Sequence, residues 1–491
     1  MRQAPTKNMT AKVRRLVVVS NRLPISIKEV GGKLTAAPSS GGLVSALTPI
    51  LAEHGGTWIG STGSASEGVD HDARVRKVLV DAARKASYNY LPVFLSGEEQ
   101  TNFYEGFSNE IIWPLFHDLQ SRCNFAPSYW DFYQRVNQRF ATATLKAAKP
   151  ADLIWIQDYQ LMDVGRQIRK RQADAQLAFF MHIPFPAPDI FEKLPWRKHI
   201  LEALLEHDLL GMQTLRDERN LIACIRSFLP SAAIERTHDA RHVTYRGRYS
   251  RVQSFPISVD FAQFARCASS KPVTERAAEI RKQLNGVPIA LGVDRLDYTK
   301  GIPERLRAFA ALLRDYPATR RRISLYQIVV PSRETITGYQ SLMHEIERLV
   351  THINGEYSQP GWVPIYYVHR SLPREELLAH YRAASLALIT PLKDGMNLVA
   401  KEYCAARTDN DGVLILSEFA GAAPELGRGA LLVNPYDELG VAAALARALA
   451  MEPAEQRRRM MRMRAWVRRR DILHWRDSFF SALDEPVPAP A

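Results

Sequence analysis

The stretch Leu388 to Tyr403, LITPLKDGMNLVAKEY, holds residue types suited to a charged sugar. An apolar run, Leu386 to Thr390, stops at Pro391. It gives way to a loop, Lys393-Asp394-Gly395, and then to a helical pattern beginning near Met396 or Asn397. A strand that turns through glycine into a helix gathers unpaired backbone N–H groups and the positive dipole end at one spot, which suits a phosphate. Asp394 in the loop and Glu402 about a turn and a half into the helix would repel that phosphate. They are better suited to accepting hydrogen bonds from sugar hydroxyls, as an acidic residue does on a nucleotide ribose. The combination suggests a nucleotide-sugar site. The competing interpretation is a solvated β–α loop with a surface Asp and Glu.

A second constellation follows a strand-like run at 287–293: Asp294-Arg295-Leu296-Asp297-Tyr298-Thr299-Lys300-Gly301. Two cations five residues apart, with Gly301 ahead of a helix starting near Pro303, can clamp a diphosphate. Arg333, after Pro331-Ser332, is another arginine at the carboxyl end of a strand pattern. For either cation alone, a surface salt bridge to Asp294 or Asp297 is a serious competitor. Earlier in the chain, apolar runs end on Asn21-Arg22, on Asp158 and on His182. Polar side chains at the carboxyl ends of successive buried strands are where open α/β sheets place their sites. Gly41-Gly42, at the mouth of another helical pattern, would let backbone approach a ligand closely.

The elements that must position these residues are strands and helices in alternation. Leu16 to Ser20 is a continuous apolar run of the kind buried on both faces of a parallel sheet. Further strand patterns lie at 87–95, 153–157, 177–181, 208–214 and 251–260. Ser96-Gly-Glu-Glu99 has the form of a capping box, and Ser128 to Asp131 that of another helix start. The alternation restarts after about residue 258, with strands at 287–293, 323–330, 363–368, 386–390, 412–417 and 430–435. Helical patterns separate them at 303–314, 337–352, 374–384, 396–407 and 438–450. A chain of 491 residues exceeds one core. Two doubly wound domains are therefore expected, 1–257 and 258–491. A final helix at about 455–485 is expected to pack back on the first.

Composition excludes several classes. The four cysteines are scattered with no CxxC pair, which argues against a zinc site or disulfide framework and for a reducing compartment. No apolar run reaches membrane-spanning length and the first fifteen residues are polar and basic, so a cytoplasmic location is expected. The net charge of +13 comes partly from Arg320-Arg321-Arg322 and the arginines of 457–470. The latter are expected on the wet face of a helix. No zinc finger, RRM or comparable motif supports nucleic-acid binding, and small phosphorylated substrates account for an electropositive cleft.

Taken in order, SNRLP, GGL, FYEGFSNEIIWPLFH, IQDYQL, HIPFP, DRLDYTKG, PSRE and KDGMNLVAKE resemble the motifs of the trehalose-6-phosphate synthases over about residues 14 to 485. The resemblance implies a GT-B fold, with two Rossmann-like domains and the active site in the cleft between them. It implies transfer of glucose from a nucleotide sugar, usually UDP-glucose but with ADP- and GDP-glucose possible, to C1 of glucose 6-phosphate with retention. By the same resemblance Arg295 and Lys300 hold the donor diphosphate, lined by Gly42 and the backbone at Leu398 and Val399. Glu402 binds the ribose, and Asp394 and His182 the donor glucose. Arg22, Tyr104 and Arg333 match binders of the acceptor phosphate, with Trp113 and Asp158 around the acceptor ring. The chain departs from the family in Gln157-Asp158-Tyr159-Gln160, where His-Asp-Tyr-His is common, and in Ser258, where glycine is common. The related glucosylglycerol-phosphate synthases share YWDFYQRVNQRFA and QDYQL, so ADP-glucose with glycerol 3-phosphate is the alternative pair. No metal-binding Asp-x-Asp motif accompanies the donor residues, so no cofactor is expected. A homo-oligomer is compatible with the sequence.

Overall fold

The computed structural model of the chain describes residues 15–30, 33–38, 42–332 and 337–485. Seventeen strands form two large sheets and a hairpin among these residues. The first sheet contains β1 (Leu16–Arg22), β4 (Gly56–Ser61), β5 (Asn89–Val93), β6 (Leu153–Gln157), β7 (Gln176–Phe180), β8 (Leu209–Met212), β9 (Ala233–Arg236), β10 (Arg241–Tyr245) and β11 (Arg248–Ser254). Its order is β5-β4-β1-β6-β7-β8-β11-β10-β9. The hairpin pairs β2 (Ile25–Val30) with β3 (Lys33–Pro38). The second sheet contains β12 (Ile289–Arg295), β13 (Ser324–Val330), β14 (Ile365–His369), β15 (Leu386–Ile389), β16 (Val413–Ser417) and β17 (Leu431–Val433). Its order is β14-β13-β12-β15-β16-β17, all parallel.

Periodicity explains the burial. Val17 and Val19 of β1 belong to one apolar cluster and Leu16 and Val18 to another. Successive side chains point to opposite faces of a strand, and helices cover both faces of this sheet, so the run is apolar without alternation. The second sheet has the same logic, with Ala290 of β12 in the first cluster and Ile289 and Leu291 in the second.

Strand order fixes where a ligand can sit. In the second sheet the winding starts at β12, runs outward to β14, and then resumes on the other side at β15. The first sheet does the same from β1, outward to β5 and then back to β6. Each reversal leaves the loops after two neighbouring strands diverging to opposite faces, opening a crevice beyond the strand ends. The carboxyl ends of those strands and the loops after them carry Arg295 to Lys300 and Lys393 to Gly395 in the second sheet, and Asn21-Arg22 and Asp158 in the first.

Several elements differ from the expectation. The strand β4, the helix Val69–Ala86 and the β2–β3 hairpin carry no clear signal; β4 is GTWIGS, glycine-rich yet with Trp58 and Ile59 fully buried. The first sheet is not wholly parallel, because β10 pairs antiparallel with β9 and β11. The helix expected at Ser128 is Pro127–Ala147, with Ala126 at its cap position and proline in its first turn, where the missing N–H costs nothing. The segment 455–485 forms two helices, Pro453–Arg469 and Ile472–Asp484. Arg464 is not on a wet face: its guanidinium donates to the carbonyls of Cys404 (2.8 Å) and Ala405 (2.7 Å), the last turn of Leu398–Ala406. The helix Ile472–Asp484 lies on the first sheet. Trp475 and Phe479 stack on Trp155 at ring-centroid distances of 5.4 and 4.4 Å, and the Ile472 N–H donates to the Val259 carbonyl at 3.1 Å.

Candidate active site

At the reversal of the second sheet, Lys300 and Asp394 meet. The Lys300 Nζ lies 2.6 Å from Asp394 Oδ2, which also accepts a hydrogen bond from Asn397 Nδ2 at 3.1 Å. Burial alone would raise the Asp394 pKa, but the adjacent ammonium and the Asn397 amide hold it below the ordinary carboxylate value. Asn397 is the N-cap of Leu398–Ala406. Its Oδ1 accepts from the Ala400 N–H at 3.2 Å, and its φ of 71° is a left-handed conformation that asparagine tolerates. The first-turn N–H groups of Leu398 and Val399 have no acceptor within the helix itself. Glu402 accepts from the Tyr381 hydroxyl at 2.8 Å, and burial pushes its pKa up.

Among the described residues, neither Arg295 nor Lys300 forms a salt bridge with Asp294 or Asp297. Asp294 pairs with the fully buried Arg305, whose Nε donates to Thr390 Oγ1 at 3.0 Å. Asp297 accepts from the Thr299 N–H (3.0 Å), the Thr299 hydroxyl (2.8 Å) and Trp113 Nε1 (3.4 Å). Arg295 is exposed, with its guanidinium carbon 5.9 Å from the centre of the Trp113 ring. Asp294 is thus engaged by Arg305 and Asp297 by Thr299, Trp113 and Tyr339, and the Arg295 head group stays at the surface.

At the reversal of the first sheet, the Arg22 guanidinium carbon lies 5.0 Å from the Tyr104 ring centre. Tyr104 belongs to a 13-residue π-helix, Gln100–Ile112, which follows the capping box at Ser96 and leads straight into Trp113. So long a π-helix is rare, and wide helical turns of this type recur at functional sites. It is held by Asn109, whose Nδ2 donates to the Tyr104 carbonyl (2.6 Å) while its Oδ1 accepts from the Tyr159 hydroxyl (3.0 Å). Trp113 is buried between His117 and Tyr159. Asp158 has φ 73°, an uncommon left-handed position for a side-chain-bearing residue, and its Oδ1 accepts from the His182 N–H at 3.1 Å.

The two halves touch where these loops face each other. A Cβ on Gly395 would lie 2.3 Å from the His182 carbonyl oxygen, so only glycine permits this approach. Trp113 reaches Asp297, and Lys393 Nζ pairs with Asp118 Oδ2 at 2.5 Å. The structure therefore gathers Arg295, Lys300, Asp394, Leu398, Val399 and Glu402 on one side, and Arg22, Tyr104, Trp113, Asp158 and His182 on the other. Gly42 opens the helix Gly42–His54. Arg333 lies outside the described residues.

Residues not assigned a role from the sequence also belong here, among them Gln157, there only a departure from the family pattern, and Asn397, there only a helix start. His117 is fully buried beside Trp113, donates from Nδ1 to the Trp113 carbonyl at 2.7 Å, and has its pKa pushed down by burial to about 4. The Gln157 and Gln213 side chains contact the His182 ring, and Asn397 caps the helix beside Asp394. An Asn just before an apolar helical run is a cap signal; Gln157 stands out only as a departure from the family motif, and Gln213 carries no signal.

A family model described as glycosyltransferase family 20 matches residues 14–485. The trehalose-6-phosphate synthase of Mycolicibacterium paratuberculosis is 43% identical over 478 residues, covering 96% of each chain. A structure of the Escherichia coli trehalose-6-phosphate enzyme bound with UDP-2-fluoro glucose superposes with a TM-score of 0.86 at 37% identity, covering 97% of this chain and 100% of that one. The UDP-forming α,α-trehalose-phosphate synthase of Burkholderia xenovorans, solved in complex with glucose 6-phosphate, superposes with a TM-score of 0.85 at 33% identity, covering 96% and 100%. With two doubly wound sheets whose reversals face each other, matched along nearly its whole length, the chain belongs to glycosyltransferase family 20 and has its GT-B fold.

Proposed function

We propose that the chain transfers glucose from UDP-glucose to C1 of glucose 6-phosphate, with retention at the donor carbon, giving α,α-trehalose 6-phosphate. The observation that carries this is the juxtaposition of the two reversals. One presents two cations and a helix N-terminus, the other an arginine, a strained carboxylate and aromatic rings. Arg295, Lys300 and the N–H groups of Leu398 and Val399, with Gly42 beside them, bind the diphosphate. Glu402 takes the ribose, and Asp394 and His182 the donor glucose. Arg22, Tyr104 and Arg333 take the acceptor phosphate, with Trp113 and Asp158 around its ring.

The carboxylates do not favour a nucleophile. Asp394 Oδ2 already holds both Lys300 and Asn397, which draw charge from it, and Glu402 is tied to Tyr381. Double displacement needs a free carboxylate beneath the anomeric carbon with a second acid/base group about 5 Å away. His182 does not serve as a proton donor at neutral pH, because burial pushes its pKa down to about 3. These features support front-face transfer. The anomeric C–O bond breaks with its electron pair going to the diphosphate oxygen. The acceptor hydroxyl oxygen bonds to the same face, and its proton passes to that departing oxygen. Arg295, Lys300 and the helix start stabilise the charge that develops, without a metal.

The test is a donor-by-acceptor matrix of UDP-, ADP- and GDP-glucose against glucose 6-phosphate and glycerol 3-phosphate, run with and without EDTA, with product stereochemistry read by NMR. UDP-glucose with glucose 6-phosphate should be the fastest pair, insensitive to EDTA, and should yield only the α,α product. A preference for glycerol 3-phosphate would overturn the acceptor assignment; the relatives described above do not favour it.

A further inference from the structure

His182 is held by a line of hydrogen bonds that fixes its protonated nitrogen. The Ile257 N–H can only donate, and it meets Gln213 Oε1 at 3.1 Å. The other atom of that amide, Gln213 Nε2, therefore faces His182 Nδ1, at 3.4 Å, and an amide NH2 can only donate. Nδ1 is then the acceptor, the ring proton sits on Nε2, and it is donated to Gln157 Oε1 at 3.0 Å. Gln157 and Gln213 are buried at 0% and 1% exposure, so water does not compete for these positions.

The anchor of this line is not in the first sheet. Ile257 lies in the segment joining the two halves, and its carbonyl accepts from Lys401 Nζ at 2.7 Å. Lys401 is buried, neighbours Glu402 on the helix Leu398–Ala406, and pairs with Glu425 at 2.6 Å. Ile257 is thus gripped from one side by the residue that orients His182, and from the other by the helix assigned to the donor.

From this geometry we propose that Gln213 is a positioning residue for glucosyl transfer, holding His182 as the Nε2-protonated tautomer and tying it through Ile257 to the donor-site helix. A sugar hydroxyl reaching Nδ1 meets an acceptor in competition with a long, weak hydrogen bond from Gln213. The proposal rests on the reading of His182 as a donor-sugar contact.

The decisive comparison is Gln213→Glu against the unaltered protein. The near-isosteric glutamate keeps an acceptor for the Ile257 N–H but offers His182 Nδ1 an oxygen in place of a donor. Long-range 1H–15N spectra of histidine-labelled protein at neutral pH should show His182 neutral and protonated at Nε2 in the unaltered chain, and protonated at Nδ1 in the variant. The variant's kcat should fall at least about tenfold, the scale on which a misplaced group acts. Its KM for glucose 6-phosphate should stay within about threefold, because the acceptor residues are untouched. Gln213→Leu, which removes both hydrogen bonds, should lose turnover as well. An Nδ1-protonated His182 in the unaltered chain overturns the proposal without any variant. So does a Gln213→Glu protein with an unchanged tautomer or unchanged kcat. Absence of glucosyl transfer by the unaltered chain would instead overturn the assigned reaction, leaving the tautomer measurement standing.

Discussion

Replacing Lys300 by methionine separates the structural from the catalytic work of the Lys300–Asp394 pair. The two head groups are 2.6 Å apart with side chains 11% and 14% exposed, so the pair is nearly buried. Removing one partner of such a pair leaves a charge without compensation, at a cost of roughly 3–5 kcal/mol. For a domain of 150–250 residues, about 3 kcal/mol corresponds to a fall in Tm of roughly 6–12 °C. The sign of the pH dependence should also invert. In the unaltered protein the folded pKa of Asp394 lies below its unfolded value, so its stabilisation is present above the unfolded pKa and lost as pH falls through the folded one. Burial is already the largest single influence on Asp394; without Lys300 it is no longer outweighed, and it raises that pKa. The variant should then be relatively more stable at pH 5 than at pH 7, where the carboxylate must ionise. The double variant Lys300→Met, Asp394→Asn should recover most of the lost stability, since both charges are gone. Turnover should not recover: loss of a cation that stabilises the departing diphosphate costs at least about a hundredfold. Thermal unfolding at both pH values, with a coupled assay for released UDP, measures all of this. A double variant as unstable as the single one would refute the buried-pair reasoning. Near-normal turnover in Lys300→Met would refute the assignment of Lys300 to the leaving group.

Two further outcomes follow from the geometry. Arg22→Ala should raise KM for glucose 6-phosphate by about tenfold or more, since a charge-assisted hydrogen bond contributes about 1.5–3 kcal/mol. Tyr104→Leu should raise it by about tenfold or more as well, since it removes the hydroxyl assigned to the phosphate together with a cation–π contact to Arg22 of about 0.5–1 kcal/mol. Steady-state kinetics check both, and a collapse of donor affinity instead would place Arg22 in the donor site. Acid sensitivity is the second outcome. Burial pushes His117, His182 and His207 down to about 4, 3 and 4, so each is neutral when folded and takes up a proton on unfolding below its ordinary value of 6.5. Each should remove about 1.4 kcal/mol of stability per pH unit between roughly pH 6.5 and 4. His207→Gln should lessen that slope in denaturant titrations, and an unchanged slope would contradict it.

The sequence determined more of the site than of its wiring. A strand buried on both faces must be continuously apolar, so β1, β6, β12 and β15 stood out, and the polar residues at their ends marked the crevice before any contact was known. Capping at Ser96 is likewise local chemistry and formed as its Ser-x-x-Glu spacing implies. The short, glycine-bounded β4 gave no such signal, because its burial comes from its neighbours β1 and β5 and not from its own pattern. The π-helix under Tyr104 was also hidden, since its sequence reads as any helix and its width is held by Asn109 and Tyr159, 50 residues apart. Partners were the part only the tertiary structure could decide. Lys300 could have paired with Asp294 or Asp297 nearby; instead it meets Asp394 from the next loop across the sheet reversal. Arg305 claims Asp294, and Arg464 leaves its expected wet face to hold the end of the helix Leu398–Ala406. The tautomer of His182 depends on Gln213 and, through it, on Ile257, residues brought to it from further along the chain. A charge or a hydrogen bond acts over a few ångströms, whereas sequence spacing says where a side chain starts and not what lies within that distance once the sheets have closed.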